Sequence, residues 1–368
     1  MKISTSIAAL LADLQTVARV ASTRSAIQAL SGVQFSATDA SVELRATDME
    51  IGLRMPLAAD VVRAGEAVLP ARLLLEVVRQ LPGDGVTLEL RPETQDVELV
   101  AGTASFHLRT LRAEDFPTLP EPGGDMTVVV PAQAFVETVT RVARSASRDE
   151  TRPILTGILV SATGSELRMV ATDSYRLSVK ETQLDTPLAE AFEANVPARA
   201  LEEVGRLVGA DTDSIAVGVR AGQVVFSVGA VALSSRLIDG QFPNYRQLLP
   251  ETFEHELTMS ADELLAVARR IALLAQKNAP LRLSFSEGEL RISAQTPDVG
   301  EASDTLPVPF AGEPFEIGFN PEFLISGLES AGGGDVVLKL ISPLRPGLIE
   351  AADGSGFLYL IMPIRLNV

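Results

Sequence analysis

The sequence predicts three tandem copies of one α+β domain, each with two helices laid on antiparallel sheets. Three recurrences predict it. A short strand and an amphipathic helix start alike in ISTSIAALLADLQTVARVAS from Ile3, VVVPAQAFVETVTRVARSAS from Val128 and LTMSADELLAVARRIALLAQ from Leu257. A proline-led helix follows in each, in LPARLLLEVVRQLPG from Leu69, VPARALEEVGRLVGA from Val196 and NPEFLISGLESAGGG from Asn320. The tripeptide Ala46-Thr47-Asp48 returns 125 residues later as Ala171-Thr172-Asp173. That period is far longer than the roughly 20–50 residues of a solenoid repeat, so the copies are complete domains.

In order along the chain, Lys2 before an apolar run resembles a leader, but Asp13 and Gln15 interrupt it and no small-residue cleavage pattern follows. Ile7, Leu10, Leu11, Leu14, Val17 and Ala18 keep helical spacing instead. The matching stripe is Phe135, Val139 and Val142 in the second copy, and Leu264, Val267, Ala268 and Ile271 in the third. Ser260 ahead of Asp262 and Glu263 suits a helix start. Pro70, Pro197 and Pro321 stand at the first turns of the second helices, and a glycine suited to a left-handed cap ends each. Runs such as VTLELRPETQDVELVAG and SIAVGVRAGQVVFSVGA alternate at period two, as hairpins do, and imply roughly eight strands per copy. Proline-rich links at 117–126 and 243–252 set domains at 1–122, 126–250 and 253–368.

The stretch ATDSYRLS reads as a tight turn at Thr172, Asp173 and Ser174 between two strands, 166–170 and 176–180. Thr47-Asp48 and Thr296-Pro297-Asp298 occupy the equivalent places. Strand-rich copies carry edges that must be paired. Three copies can pair edge to edge into an arc, and a second chain can close that arc into a ring.

Composition narrows the function. Of 368 residues 46% are apolar and 21% charged, as in a globular protein. There is no cysteine, hence no disulfide or thiolate metal site, and His107 and His255 stand too far apart in sequence to suggest zinc. No run reaches the roughly 18 apolar residues of a membrane span, so a cytoplasmic protein with no membrane partner is expected. A net charge of −17 argues against nucleic acid at first sight. However, segments 7–24, 71–81, 132–148 and 261–277 are each net positive, which places a basic helical face on an acidic body. Such a face suits a loose, sequence-independent, salt-sensitive phosphate contact. There is no P-loop, Gly332-Gly333-Gly334 reads as a cap and turn, and two histidines suggest no Ser/His/Asp set. An enzyme would have to rest on Asp48 and Asp173, which fall in separate copies and are explained by turns.

The motifs LPAR and VPAR, ATDSYRL (171–177), IDGQFPNYRQLLP (238–250), IGFNPEFL (317–324) and YLIMPIRL (359–366) resemble, in order and spacing, the bacterial DNA polymerase III beta subunit, or sliding clamp, family. The resemblance spans the chain. It implies DNA-clamp domains, a ring-shaped head-to-tail homodimer around duplex DNA, no chemistry and no cofactor. By the same resemblance, Arg24, Arg72, Arg79, Arg148 and Arg152 face DNA, and Phe106, Leu108, Leu273 and Leu274 form the dimer interface. A pocket of Leu155, Thr172, Tyr175, Arg176, Leu177, Pro243, Leu248, Leu360, Met362 and Pro363 takes client peptides with a Gln-x-x-Leu-Phe-like motif. The implied partners are the polymerase III alpha subunit, a clamp loader and other proteins carrying that motif. Three departures stand out: Ser174-Tyr175 where a Gly-His type pair is usual, Pro153-Ile154 where some relatives have aromatic groups, and Asn367-Val368 beyond the usual Arg-Leu end. The first and last lie at the pocket, which leaves open an accessory paralogue with altered partner or inhibitor binding.

Overall fold

The computed structural model describes residues 1–123, 126–185, 187–188, 191–220, 222–275, 279–297 and 299–366, without the side chains of 126 and 127. Lys277, Asp298 and the Asn367-Val368 extension lie outside the described residues.

The first copy runs β1 (Lys2–Ser6), α1 (Ile7–Val17), β2 (Gly32–Ala37), β3 (Val42–Thr47), β4 (Ile51–Leu57) and β5 (Ala59–Arg63). It continues through β6 (Gly65–Pro70), α2 (Ala71–Gln80), β7 (Gly85–Arg91), β8 (Asp96–Ala101) and β9 (Ala104–Arg109). The second runs β10 (Met126–Pro131), α3 (Ala132–Val142), β11 (Gly157–Thr163), β12 (Glu166–Thr172) and β13 (Arg176–Gln183). Then come β14 (Phe192–Pro197), α4 (Ala198–Leu207), β15 (Ser214–Arg220), β16 (Gln223–Val228) and β17 (Val231–Arg236). The third repeats that order as β18 (His255–Ser260), α5 (Ala261–Ala272), β19 (Leu281–Ser286), β20 (Glu289–Thr296) and β21 (Gly300–Pro307). It ends with β22 (Phe315–Phe319), α6 (Pro321–Ala331), β23 (Asp335–Leu340), β24 (Gly347–Ala351) and β25 (Phe357–Ile361).

Local rules explain the helices. Ser6 accepts a hydrogen bond from the Ala9 amide and Ser260 from the Glu263 amide, each satisfying a donor left over at a helix start. The apolar stripes face inward as spaced: Leu10, Leu14, Phe135, Val142, Leu264 and Ile271 are all buried. In the third copy α5 and α6 set Leu264, Leu324 and Leu328 into one core with Leu283, Phe285 and Tyr359. Gly327 lets α6 press onto the Tyr359 ring, since a Cβ there would fall 2.5 Å from it.

Three expectations need correcting. Only α6 among the described helices shows the left-handed glycine cap, Gly332 at φ 85°. The α2 helix stops at Leu81 in extended backbone before Pro82, and Gly209 after α4 is not left-handed. Of the three prolines only Pro321 is a first helical residue, whereas Pro70 and Pro197 end the preceding strands. The helices are also shorter than their basic segments. At their observed bounds α1 carries only Asp13, α3 and α5 are balanced, and α6 carries Glu322 and Glu329. The positive charge therefore sits on α2 and on the segments that follow α1 and α3, not on the helices as a set.

The chain forms two compact units, Met1–Val130 with Arg206–Leu237, and Pro131–Gly205 with Ile238–Val368. The first holds an eight-stranded sheet in the order β10-β15-β16-β17-β4-β3-β2-β6 and a five-stranded sheet β5-β1-β7-β8-β9. The second holds an eight-stranded sheet β14-β11-β12-β13-β25-β24-β23-β18 and a four-stranded sheet β21-β20-β19-β22. Each eight-stranded sheet therefore joins strands of two copies. In the first unit β4 pairs antiparallel with β17, Leu53 opposite Leu233. In the second β13 pairs antiparallel with β25, Leu177 opposite Leu360.

Candidate binding groove and nucleic-acid surface

The two Thr-Asp turns share one hydrogen-bond design. Thr172 Oγ1 donates to the Arg176 carbonyl at 2.7 Å and accepts from the Ser174 amide at 3.2 Å. Asp173 Oδ1 accepts from the Tyr175 and Arg176 amides at 2.9 and 3.0 Å. In the first copy Thr47 bonds in the same way to Ile51 and Met49, and Asp48 to Glu50 and Ile51. Ser174 and Met49 both sit at positive φ, 82° and 80°, a region that favours glycine. Both carboxylates bind backbone amides, so the turn accounts for the pair that an enzyme would have needed. The third copy differs: Thr296 Oγ1 donates to the Leu274 carbonyl at 2.6 Å.

What the two turns do next diverges. In the second copy Asp173 Oδ2 also holds Arg176 Nε at 2.9 Å, and the guanidinium lies 4.5 Å from the Phe323 ring centre. Tyr175 stacks on Phe323 at 6.4 Å, and its carbonyl accepts from the Met362 amide. The β13–β25 pair thus brings the turn, the C-terminal strand and the segment 247–254 around a groove of about 610 Å³. At the β4–β17 pair the corresponding hollow is only about 90 Å³. There Leu119 folds over Gly52 and is buried, whereas Leu248 in the second copy stays 51% exposed.

Six of the expected pocket residues line the groove: Thr172, Arg176, Leu177, Leu248, Leu360 and Met362. Leu177 and Leu360 are its buried floor, and Leu248 and Met362 its exposed rim. Leu155, Tyr175, Pro243 and Pro363 do not line it. Leu155 is buried in a 3-10 turn, and Tyr175 points outward at 59% exposure. The far wall, Ile341, Leu344, Arg345 and Pro346, was not anticipated, nor were Glu251 and Glu254. Leu344 lies in the loop joining β23 to β24, where an exposed leucine framed by prolines is the one signal available.

The paired strands β13 and β25 also bury two polar groups, Lys180 on β13 and Tyr359 on β25. Lys180 is buried and donates to the Glu181 and Ser355 carbonyls and to Thr182 Oγ1; burial draws its ammonium pKa below the usual range. Tyr359 donates to the Phe323 carbonyl at 2.7 Å, and burial pushes its phenol upward.

All five expected DNA-facing arginines are exposed. Arg72 and Arg79 lie on the solvent face of α2, whereas Arg24, Arg148 and Arg152 lie in loops. Arg152 is held, its Nε 3.0 Å from Asp149 and its Nη1 donating to Ser174 Oγ at 3.0 Å. Of the expected interface residues, Phe106 and Leu108 share one face of β9, an edge strand. Leu273, just past α5, is 83% exposed, and Leu274 is half-buried. Beside β9, Arg91 holds Asp96 with paired bonds of 2.9 and 3.1 Å, and together with Thr94 it lowers that carboxyl to about 2. Among the described residues no group of three or more His, Cys, Asp or Glu is placed to hold a metal ion, and no helix is long and apolar enough to cross a membrane.

Domains of this kind, repeated and joined sheet to sheet, make a clamp-type scaffold. Family models describing the DNA polymerase III beta subunit match across the chain, its N-terminal domain at 1–120, central domain at 129–244 and C-terminal domain at 246–365. The beta sliding clamp of Synechococcus elongatus is 35% identical over 367 residues, covering 96% of each chain. That of Pseudomonas aeruginosa is 31% identical, covering 97% of this chain and 98% of that one. The crystal structure of the Bacillus subtilis sliding clamp aligns over the full length of both chains with a TM-score of 0.94 at 27% identity. The P. aeruginosa beta subunit gives 0.92 at 29%, again over the full length of both. The chain belongs to the DNA polymerase III beta subunit family: it is a sliding clamp, a processivity factor and not an enzyme.

Proposed function

We propose that the chain works as a head-to-tail homodimer closed around duplex DNA. The observation that carries this reading is the pairing rule repeated inside the chain. In each copy two sheets end alike: β4, β13 and β21 are the corresponding end strands of one sheet, and β17, β25 and β9 of the other. Within the chain β4 takes β17 and β13 takes β25. One strand of each kind is left over, β21 and β9. An exposed edge seeks a partner, and a second copy offers the complementary one at each end, so two such contacts close the assembly. Phe106 and Leu108 on β9 and Leu273 and Leu274 near β21 supply its apolar contacts. Domains at 1–122, 126–250 and 253–368 make that ring six domains in all.

Arg24, Arg72, Arg79, Arg148 and Arg152 meet the phosphate backbone without reading sequence, and the acidic remainder of the chain repels it. The groove takes the Gln-x-x-Leu-Phe-like segment of the polymerase III alpha subunit, a clamp loader or another client. Tethering on DNA then raises the client's effective concentration at the primer end.

The test is native mass together with retention on DNA. A species of twice 39.1 kDa, retained on nicked circular DNA after loading and released when the circle is cut, is expected. A monomer that leaves closed and cut circles equally fast would overturn the reading.

A further inference from the structure

Glu329 on α6 is held by two arginines from different elements. Arg269 on α5 reaches Oε1 at 2.6 Å, and Arg144, in the 3-10 turn after α3, contacts Oε2. The arginines extend further into solvent than the acid they share: their side chains are 51% and 56% exposed against 21% for Glu329. Neighbouring cations are otherwise engaged. Arg141 donates to the Ser330 and Ala331 carbonyls at the end of α6, and Arg270 pairs with Asp304 at 2.5 Å. Two guanidinium forks converging on one anion form an arrangement that accepts a phosphate as readily as a carboxylate. The guanidinium ends stand largely in solvent, where ion pairs contribute little net stability, so an incoming phosphate can displace the carboxylate.

We propose that Arg144 and Arg269 form a phosphodiester-binding pair for which Glu329 is the resident competitor. The proposal rests on the DNA-encircling reading above and adds its control. With the carboxylate in place, each phosphate contact is an exchange of one anion for another, which few counterions accompany. The clamp's hold on any one phosphate is weakened, and the contact is easily passed to the next.

The test uses the full chain with Glu329→Gln, which keeps shape and a hydrogen-bond acceptor but removes the charge. A fluorescein-labelled duplex is titrated by anisotropy from about 50 to about 200 mM salt. The variant is expected to bind on the order of tenfold more tightly, with a log–log salt slope steeper by about 0.9 for each arginine released. Adding Arg144→Gln and Arg269→Gln to it returns the slope to that of the wild type or below. Should removal of the acid disturb α6, Arg144→Gln with Arg269→Gln in the wild-type background gives a second reading, weaker duplex binding at an unchanged melting temperature. If Glu329→Gln keeps the wild-type affinity and slope while the wild type itself binds in a salt-dependent way, the competitor role is wrong and the ring reading stands. If the wild type shows no salt-dependent binding, both fall.

Discussion

Trimming the groove's rim while sparing its floor separates binding from folding. Leu248 and Met362 are 51% and 41% exposed, whereas Leu177 and Leu360 are buried. Leu→Ala and Met→Ala each remove three heavy atoms, worth about 0.8 kcal/mol per buried methylene-sized group when fully transferred from water. A peptide can cover only the exposed half of each side chain, so the expected loss is about 1 kcal/mol apiece, or roughly fivefold in Kd. The double variant should lose about 2 kcal/mol, roughly thirtyfold, less any coupling between two residues of one groove. Fluorescence polarisation with a labelled Gln-x-x-Leu-Phe peptide reads this directly. Melting temperature is the control, because surface truncations cost no more than about 0.5 kcal/mol of stability. Leu177→Ala would be a poor substitute, since a buried leucine costs about 2–5 kcal/mol and unfolding would imitate lost binding. Both single variants binding within twofold of the wild type would refute the groove as the peptide site.

Two further outcomes are expected. Leu273→Asp with Leu274→Asp places charge in the proposed apolar contact at several kcal/mol, about a hundredfold or more in dimer Kd; sedimentation equilibrium should find monomers, and an unaltered dimer would remove these residues from the interface. Asp96, lowered from 3.8 to about 2 by Arg91, contributes stability that is complete above pH 3.8 and lost as pH falls toward 2. The melting temperature of the wild type should therefore drop more steeply over that window than that of Asp96→Asn, and parallel curves would show that the pair contributes nothing.

The three copies were legible because helix starts, proline-led helices and Thr-Asp turns are local signals, written within a few residues. The Asp173 turn follows from its own side chain, which closes on amides two and three residues ahead. Helix ends were harder. The arginine-bearing segment after Val17 keeps a helical composition, yet the chain leaves the helix there, and among the described helices only α6 shows its glycine in a left-handed cap. The groove was half legible. Its floor and rim lie in motifs, but Leu344 and Arg345 join it only because β24 and β25 pair and bring the loop before β24 alongside. Such a contact depends on strand order, which no short stretch of sequence specifies. Arg144 and Arg269 fall in two of the net-positive segments, 132–148 and 261–277, and it is the fold that places one acid between them.

The middle copy owns no complete large sheet. Its strands β10, β15, β16 and β17 extend a sheet finished by the first copy, and β11 to β14 extend one finished by the third. Cutting the chain at the repeat boundaries would not release three small proteins, since the excised middle third would present two raw strand edges, β13 and β17. Repetition in the sequence and independence in the fold have come apart here. What was once duplicated as a unit now persists as two seams, and the client groove opens beside one of them.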